Sequence, residues 1–402
     1  MLLKKHRSSE NETVKRHRRS SEELLPHDVV VLILERLPVK SLLRFKSVSK
    51  KWKTTIESRC FQEQQFLRRR QSRGPDVLCV SIGDDDNNNN NGYDEAPMNT
   101  VSLGSSIVSR VRLPTSNYIL CPGSCDGLLC VYCVFTPSVV VNPATRWHQS
   151  FPLCNLQQFR IDMYDKGEYD YPSPKLGFGK DKFTSTYKPV WLYNSTEFGL
   201  ENVTTCEIFD FSTNAWRYVL PASPYRINDV NFPVYFDGSL YWLTLCEETK
   251  LLSFDLHTET FQVICKAPFT PASDIFSHSN RIMCILNNRL CVSENNGATQ
   301  VIWSLDSSGL NKTWKILCSI DFTKTVSWFG DKPLFPVKPI EILDDHKLLV
   351  GEHGYLVLHD LHAKSYDLLC LDRETTLGYP VSYFQSLFSV LPNSIICTDE
   401  PL

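Results

Sequence analysis

This 402-residue sequence predicts a small all-α bundle followed by an all-β, propeller-like repeat domain of about six blades. Three observations lead there. The charge is divided, with 19 Lys or Arg against 8 Asp or Glu in residues 1–75 and 23 against 37 in the remainder. The apolar pattern changes from helical spacing to short alternating strands near Asp76. Beyond that point one phrase recurs: an apolar strand ends in Asp or Asn, a polar turn follows, and an aromatic opens the next strand.

Composition removes several function classes. A net charge of −3 argues against a whole-chain nucleic-acid binder. An apolar fraction of 42% with 11% aromatics excludes a wholly disordered chain. No apolar run approaches the ~18 residues needed to span a bilayer, so no membrane partner is expected. The opening residues are charged where a secretory signal would be apolar. The fifteen cysteines, an odd number, therefore read as reduced thiols used mainly as small buried side chains.

The elements follow in order. Residues 1–23 are polar and aperiodic and predict a disordered basic tail. Its run Lys15-Arg16-His17-Arg18-Arg19 reads either as a solvated tail or as a nuclear-import cluster. Residues 24–70 predict helices. Pro26 and Asp28 suit a first helical turn, and Val29–Leu34 is apolar almost all the way round. A helix in so small a bundle covers one side only, so the other side calls for a partner. Pro38 stops this helix, Ser41 is the expected cap of the second, and Val48, Trp52 and Ile56 form the stripe of a third. Arg68-Arg69-Arg70 suit a helix C-terminus, and 71–75, with Gly74-Pro75, is the expected linker.

The strand domain is expected over 76–402, with a flexible Asp/Asn-rich loop at 84–99. Its recurring phrase opens at Asn142, Asp210, Asp255, Asp306 and Asp360, paired with Trp147, Trp216, Phe261, Trp314 and Tyr366. In each, the acid or amide should accept bonds from its own turn and the aromatic should pack between units. Strands near 77–82 and 100–111 are expected to close the ring with the C-terminal YFQSLFSVL. The stretch 155–174 reads as a solvated inter-strand loop, although its acids and Tyr164, Tyr169 and Tyr171 would also suit a basic partner.

The segment LPHDVVVLILERLPVKSLLRFKSVSKKWKTTIESRCF, Leu25 to Phe61, resembles the F-box. GSCDGLLCVY with VVNPATRWHQSFP, and later FDGSLYWLT with LLSFDL, resemble the plant F-box-associated, kelch-like propeller domain. His27 and Ser49 depart from the usual F-box residues without removing an apolar anchor. The resemblance implies a substrate receptor of an SCF-type ubiquitin ligase, in the nucleus or cytoplasm. Its F-box would bind a Skp-type adaptor, and through it a cullin, while the propeller would hold a protein substrate for ubiquitination. The adaptor contacts it implies are Leu25, Pro26, Val29, Ile33, Leu37, Pro38, Leu42, Leu43, Val48 and Trp52.

No catalytic residues, metal site or cofactor are expected. P-loop, GxSxG, HExxH and GxGxxG patterns are missing from the sequence. Cys121, Cys125, Cys130 and Cys133 lack the long central spacing of structural zinc sites and read as buried thiols. Propellers also host hydrolases, so two other readings stand beside the non-catalytic receptor: an interaction scaffold outside a ligase, and a propeller hydrolase.

Overall fold

The computed structural model describes residues 25–82, 101–103, 106–113, 118–168, 174–271, 276–306, 312–329, 333, 335–352, 355–371 and 379–391. The basic tail and the Asp/Asn-rich loop expected at 84–99 lie outside the described residues.

Four helices come first: α1 (His27–Leu34), α2 (Val39–Phe45), α3 (Lys50–Glu57) and α4 (Arg59–Ser72). Pro26 and Pro38 precede α1 and α2, where the missing N–H costs nothing. Pro38 thus takes the position expected of Ser41, which lies within α2. Ser49 caps α3 by accepting the Trp52 N–H at 3.1 Å. Leu34, Val39, Leu42, Ile56 and Phe61 form the shared core. Helix α4 runs through Ser72, two residues into the expected linker, with Arg69 and Arg70 in its last turn and Arg69 3.6 Å from Asp76 of the first strand.

Among the described residues the strands assemble into six four-stranded sheets. The first begins with β1 (Asp76–Ile82), β2 (Val101–Leu103) and β3 (Ser106–Leu113). The second holds β4 (Ile119–Leu120), β5 (Leu129–Tyr132), β6 (Ser138–Asn142) and β7 (Trp147–Phe151). Helix α5 (Asn155–Asp165) leads to the third, β8 (Leu176–Lys180), β9 (Tyr187–Asn194), β10 (Thr204–Asp210) and β11 (Ala215–Tyr218). The fourth is β12 (Val234–Phe236), β13 (Ser239–Leu243), β14 (Lys250–Asp255) and β15 (Thr260–Lys266). The fifth is β16 (Arg281–Leu286), β17 (Arg289–Asn295), β18 (Thr299–Asp306) and β19 (Thr313–Asp321). The sixth is β20 (Lys338–Leu343), β21 (Lys347–Glu352), β22 (Tyr355–Asp360) and β23 (Ser365–Leu371). Strand β24 (Tyr379–Tyr383) then returns to pair antiparallel with β1, completing the first sheet.

Separate apolar clusters fill the contacts between each sheet and the next, including the contact between the sixth and the first. The sheets are therefore blades of a closed propeller, and closure leaves no open seam between first and last. The closing strand is Tyr379–Tyr383, earlier than expected. Of YFQSLFSVL only Tyr383 belongs to it; Phe384 to Leu391 leave the sheet and run under the helical unit.

The recurring phrase is the turn between third and fourth strands. Asp210 Oδ1 accepts the Ser212 N–H at 2.7 Å, Asp255 those of His257 and Thr258 at 2.8 Å, and Asp360 those of His362 and Ala363 at 2.9 and 2.8 Å. The turns close on residues of positive φ: Arg146, Asn214, Glu259 and Lys364. Three of the paired aromatics then reach back one blade. Trp216 Nε1 donates to Pro152 O at 2.7 Å and Trp314 Nε1 to Lys266 O at 2.8 Å. The Tyr366 hydroxyl accepts the Asp321 N–H at 2.9 Å. Phe261, which has no polar tip, packs on Phe254 instead.

In the second to sixth sheets antiparallel order puts the turns after first and third strands on one face of the propeller and the other connections on the opposite face; in the first sheet β1 and β3 pair parallel. The helical unit sits on the first of these faces. Leu387 completes its core, and Ala144 from the turn after β6 packs beside it. Phe66 of α4 meets Phe388 edge-on, ring centroids 5.3 Å apart, and Arg59 covers the other ring at 4.5 Å. Asn142 Nδ2 holds the same segment by donating to Phe388 O at 2.8 Å. The helices and the propeller are thus joined by a packed strap as well as by the chain at Gly74-Pro75.

Candidate functional site

The helical unit keeps one apolar face for itself and leaves another uncovered. Leu34 and Leu42 are 1% and 0% exposed, whereas Leu25, Val29, Leu32 and Ile33 are 47%, 39%, 42% and 45% exposed. Four open aliphatic side chains on one short segment are what a partner would cover. Of the contacts inferred from sequence, Leu25, Pro26, Val29, Ile33, Pro38 and Val48 are exposed. Leu37, Leu43 and Trp52 are half-buried, and Trp52 is held edge-on by Phe45 at 5.5 Å. Leu42 lies wholly within the core and holds the helices together rather than facing outward. Leu32, which the sequence reading passed over, belongs to the open face; its signal was its place in the all-round apolar run.

Comparison with known proteins bears on this unit and on the ring behind it. Residues 23–64 match the model of the F-box domain, and residues 109–390 match that of the F-box associated beta propeller domain. The chain belongs to the F-box proteins. An F-box protein of Arabidopsis thaliana is 62% identical over 309 residues, covering 77% of this chain and 96% of its own. An F-box/LRR-repeat/kelch-repeat protein of the same plant is 50% identical over 387 residues, covering 92% and 97%. A further Arabidopsis F-box protein is 48% identical over 398 residues, covering 92% and 100%. Among solved structures, an oligogalacturonate lyase from Vibrio parahaemolyticus aligns at a TM-score of 0.35 and 12% identity, over 62% of this chain and 63% of its own. That likeness is too slight to bear on activity.

The propeller of this F-box protein encloses a cavity of about 1060 Å³ at the centre of the face beneath the helices. Phe66 and Arg70 of α4 line it together with Asp126, Lys182, Lys338 and Glu341 of the blades. Most of its charges are neutralised locally. Asp126 pairs with Lys180 at 2.7 Å and Asp237 with Lys182 at 3.3 Å. Burial raises the Glu341 carboxyl, a shift opposed by bonds from Ser382 Oγ and the Asn287 and Ile342 N–H groups. Burial pulls Lys338 down to about 8, and its ammonium donates to Pro380 O at 3.4 Å.

Cys121, Cys125, Cys130 and Cys133 are all buried among apolar side chains. Burial raises the thiols of Cys125 and Cys130, which keeps them protonated and poorly nucleophilic. Among the described residues no group of three or more His, Cys, Asp or Glu is placed to hold a metal ion, and Cys60 is the exposed thiol.

On the opposite face the F-box protein carries α5, a helix where a loop was expected. The fully buried Glu207 caps it, accepting the N–H groups of Asn155 and Leu156 at 3.0 Å each. Asn155 Nδ2 adds a bond to the same carboxylate at 2.9 Å, and the Tyr193 hydroxyl another at 3.1 Å. Gln157 donates to Cys133 O and Thr136 O, at 2.6 and 3.0 Å, and ties the helix to the connection after β5. A buried acid from β10, distant in sequence, thus converts a polar segment into a fixed surface.

Proposed function

We propose that this F-box protein is the substrate receptor of an SCF-type ubiquitin ligase. The F-box docks on a Skp-type adaptor through the open face of α1, the adaptor joins it to a cullin, and the propeller holds a protein substrate. The chain itself carries out no covalent step. It raises the substrate's concentration near a ubiquitin-charged enzyme held elsewhere, and tethering supplies the acceleration. Its action belongs in the nucleus or cytoplasm, where unpaired thiols such as Cys130 and Cys291 stay reduced.

The observation that carries this reading is the exposure of Leu25, Val29, Leu32 and Ile33 within the residues that match the F-box. Interfaces concentrate their energy in a few apolar anchors that become buried on binding. A Val29→Ala, Ile33→Ala double substitution should therefore weaken capture of a purified Skp-type adaptor about tenfold or more while leaving helix content unchanged. Capture undiminished by that double substitution would refute the proposal.

A further inference from the structure

Helix α5 bears an open aromatic pair. Tyr164 meets Phe135, from the connection after β5, edge-on with ring centroids 5.4 Å apart. The guanidinium of the buried Arg160 lies 6.0 Å from the Phe135 ring centre and supports it from within. Both rings nevertheless face water, Tyr164 at 52% and Phe135 at 40% exposure. The bonds from Glu207 and Gln157 fix the helix that carries Tyr164, so little order would be lost on binding. A rigid, exposed aromatic pair is the usual anchor of a protein interface.

Charge selects the occupant. Asp165 and Glu168 follow Tyr164 at the end of the helix, are exposed, and form no ion pair with any described Lys or Arg. Among the described residues of this segment Lys166 is the exposed cation, and the other, Arg160, is buried beneath the Phe135 ring. The sequence from residue 76 onward carries 23 Lys or Arg against 37 Asp or Glu, so the surrounding field has the same sign. Aromatic faces and carboxylates together suit Lys and Arg, whose stems and cationic heads lie over rings while the heads pair with acids.

We propose that Phe135, Tyr164, Asp165 and Glu168 form a docking surface for a basic, Lys- or Arg-rich segment of a protein partner. The partner's role as ubiquitination substrate rests on the ligase reading; the binding itself does not. The surface lies on the propeller face away from the F-box, so a bound partner leaves the adaptor face free.

The test uses the full chain in complex with a Skp-type adaptor. The probe is a labelled lysine/leucine peptide, with a glutamate/leucine peptide of equal length as the control. Tyr164→Ala, and separately Asp165→Asn with Glu168→Gln, should each weaken the basic peptide about tenfold, and added salt should weaken it further. Phe183→Ala, on an exposed ring of the opposite face, should leave its affinity unchanged. Equal affinity for wild type and patch variants, or equal losses in the Phe183 variant, overturns the proposal. A patch-dependent dimer seen by sedimentation would assign the surface to a second copy and also overturn it. Adaptor retention in the same samples reports on the ligase reading separately.

Discussion

Phe388→Ala tests how firmly the helices and the propeller are joined. The Phe388 side chain is 2% exposed and lies between Phe66 and Arg59 of α4, with Lys180 of β8 at 5.5 Å from its ring. Removing a buried phenylalanine ring costs about 3–5 kcal/mol through lost burial and the cavity left behind. The edge-on pair and the guanidinium contact fall within that range rather than adding to it, because they share the same ring. Against a typical total of about 5–15 kcal/mol, the loss would be large. Urea unfolding of the full chain should show a midpoint shift of that size, set beside Phe183→Ala, whose ring is 69% exposed and should shift it by less than about 0.5 kcal/mol. Amide hydrogen exchange should locate the effect. Amides of α3 and α4 should exchange faster, while those of β10, β14 and β18 in the middle of their blades keep their protection. Equal midpoints for the two variants, or unchanged exchange in α4, would refute the view that the C-terminal strap fixes the F-box.

Two further outcomes follow from single positions. Lys338 ordinarily titrates at 10.5 and is held at about 8 by burial, so the folded chain bears its desolvation cost below pH 8. Between 8 and 10.5 the unfolded chain binds the extra proton, and stability at this site rises with pH. Lys338→Met should therefore stabilise the protein by about 1–3 kcal/mol below pH 8, the gain fading across that window, as read by denaturant midpoints; a flat gain contradicts it. Gly127 has φ +78°, and a Cβ there would fall 2.7 Å from Ser386 Oγ and closer still to Phe384 O. Gly127→Ala should lower stability by about 2 kcal/mol or more, against about 1 for Gly123→Ala, where φ is also positive but the space is open. Thermal melts with equal shifts would contradict the close approach.

Much of this architecture was legible in the sequence because it is local. The proline positions, the all-round apolar run and Ser49 specify short helices with an open face, since caps and periodicity act within a few residues. The Asp- or Asn-led turns specify the blades because each turn satisfies its own backbone. A second repeat went unread. Val263-Ile264-Cys265, Ile316-Leu317-Cys318 and Leu368-Leu369-Cys370 each bulge an outer strand, and the pairing register shifts at every one. Such a signal is faint in sequence, because a bulge is defined by the strand opposite.

Sequence alone thus determined that the segments before Asp76 become short helices, that the recurring phrase beyond it marks blades, and that α1 keeps an uncovered apolar face. Tertiary structure decided the rest. Leu42 and Ile33 are equally apolar as letters, but packing against Ile56 and Phe61 buries one and leaves the other open. The segment after Tyr383 looks like another strand, yet the inner position of its blade is filled by Tyr379–Tyr383, and the uncovered face of α4 draws Phe388 beneath the F-box. The polar segment after Cys154 is a helix because the Glu207 carboxylate, far along the chain, satisfies its first N–H groups. In each case the deciding partner is remote in sequence, and burial or a satisfied hydrogen bond between distant residues exists only once the ring has closed.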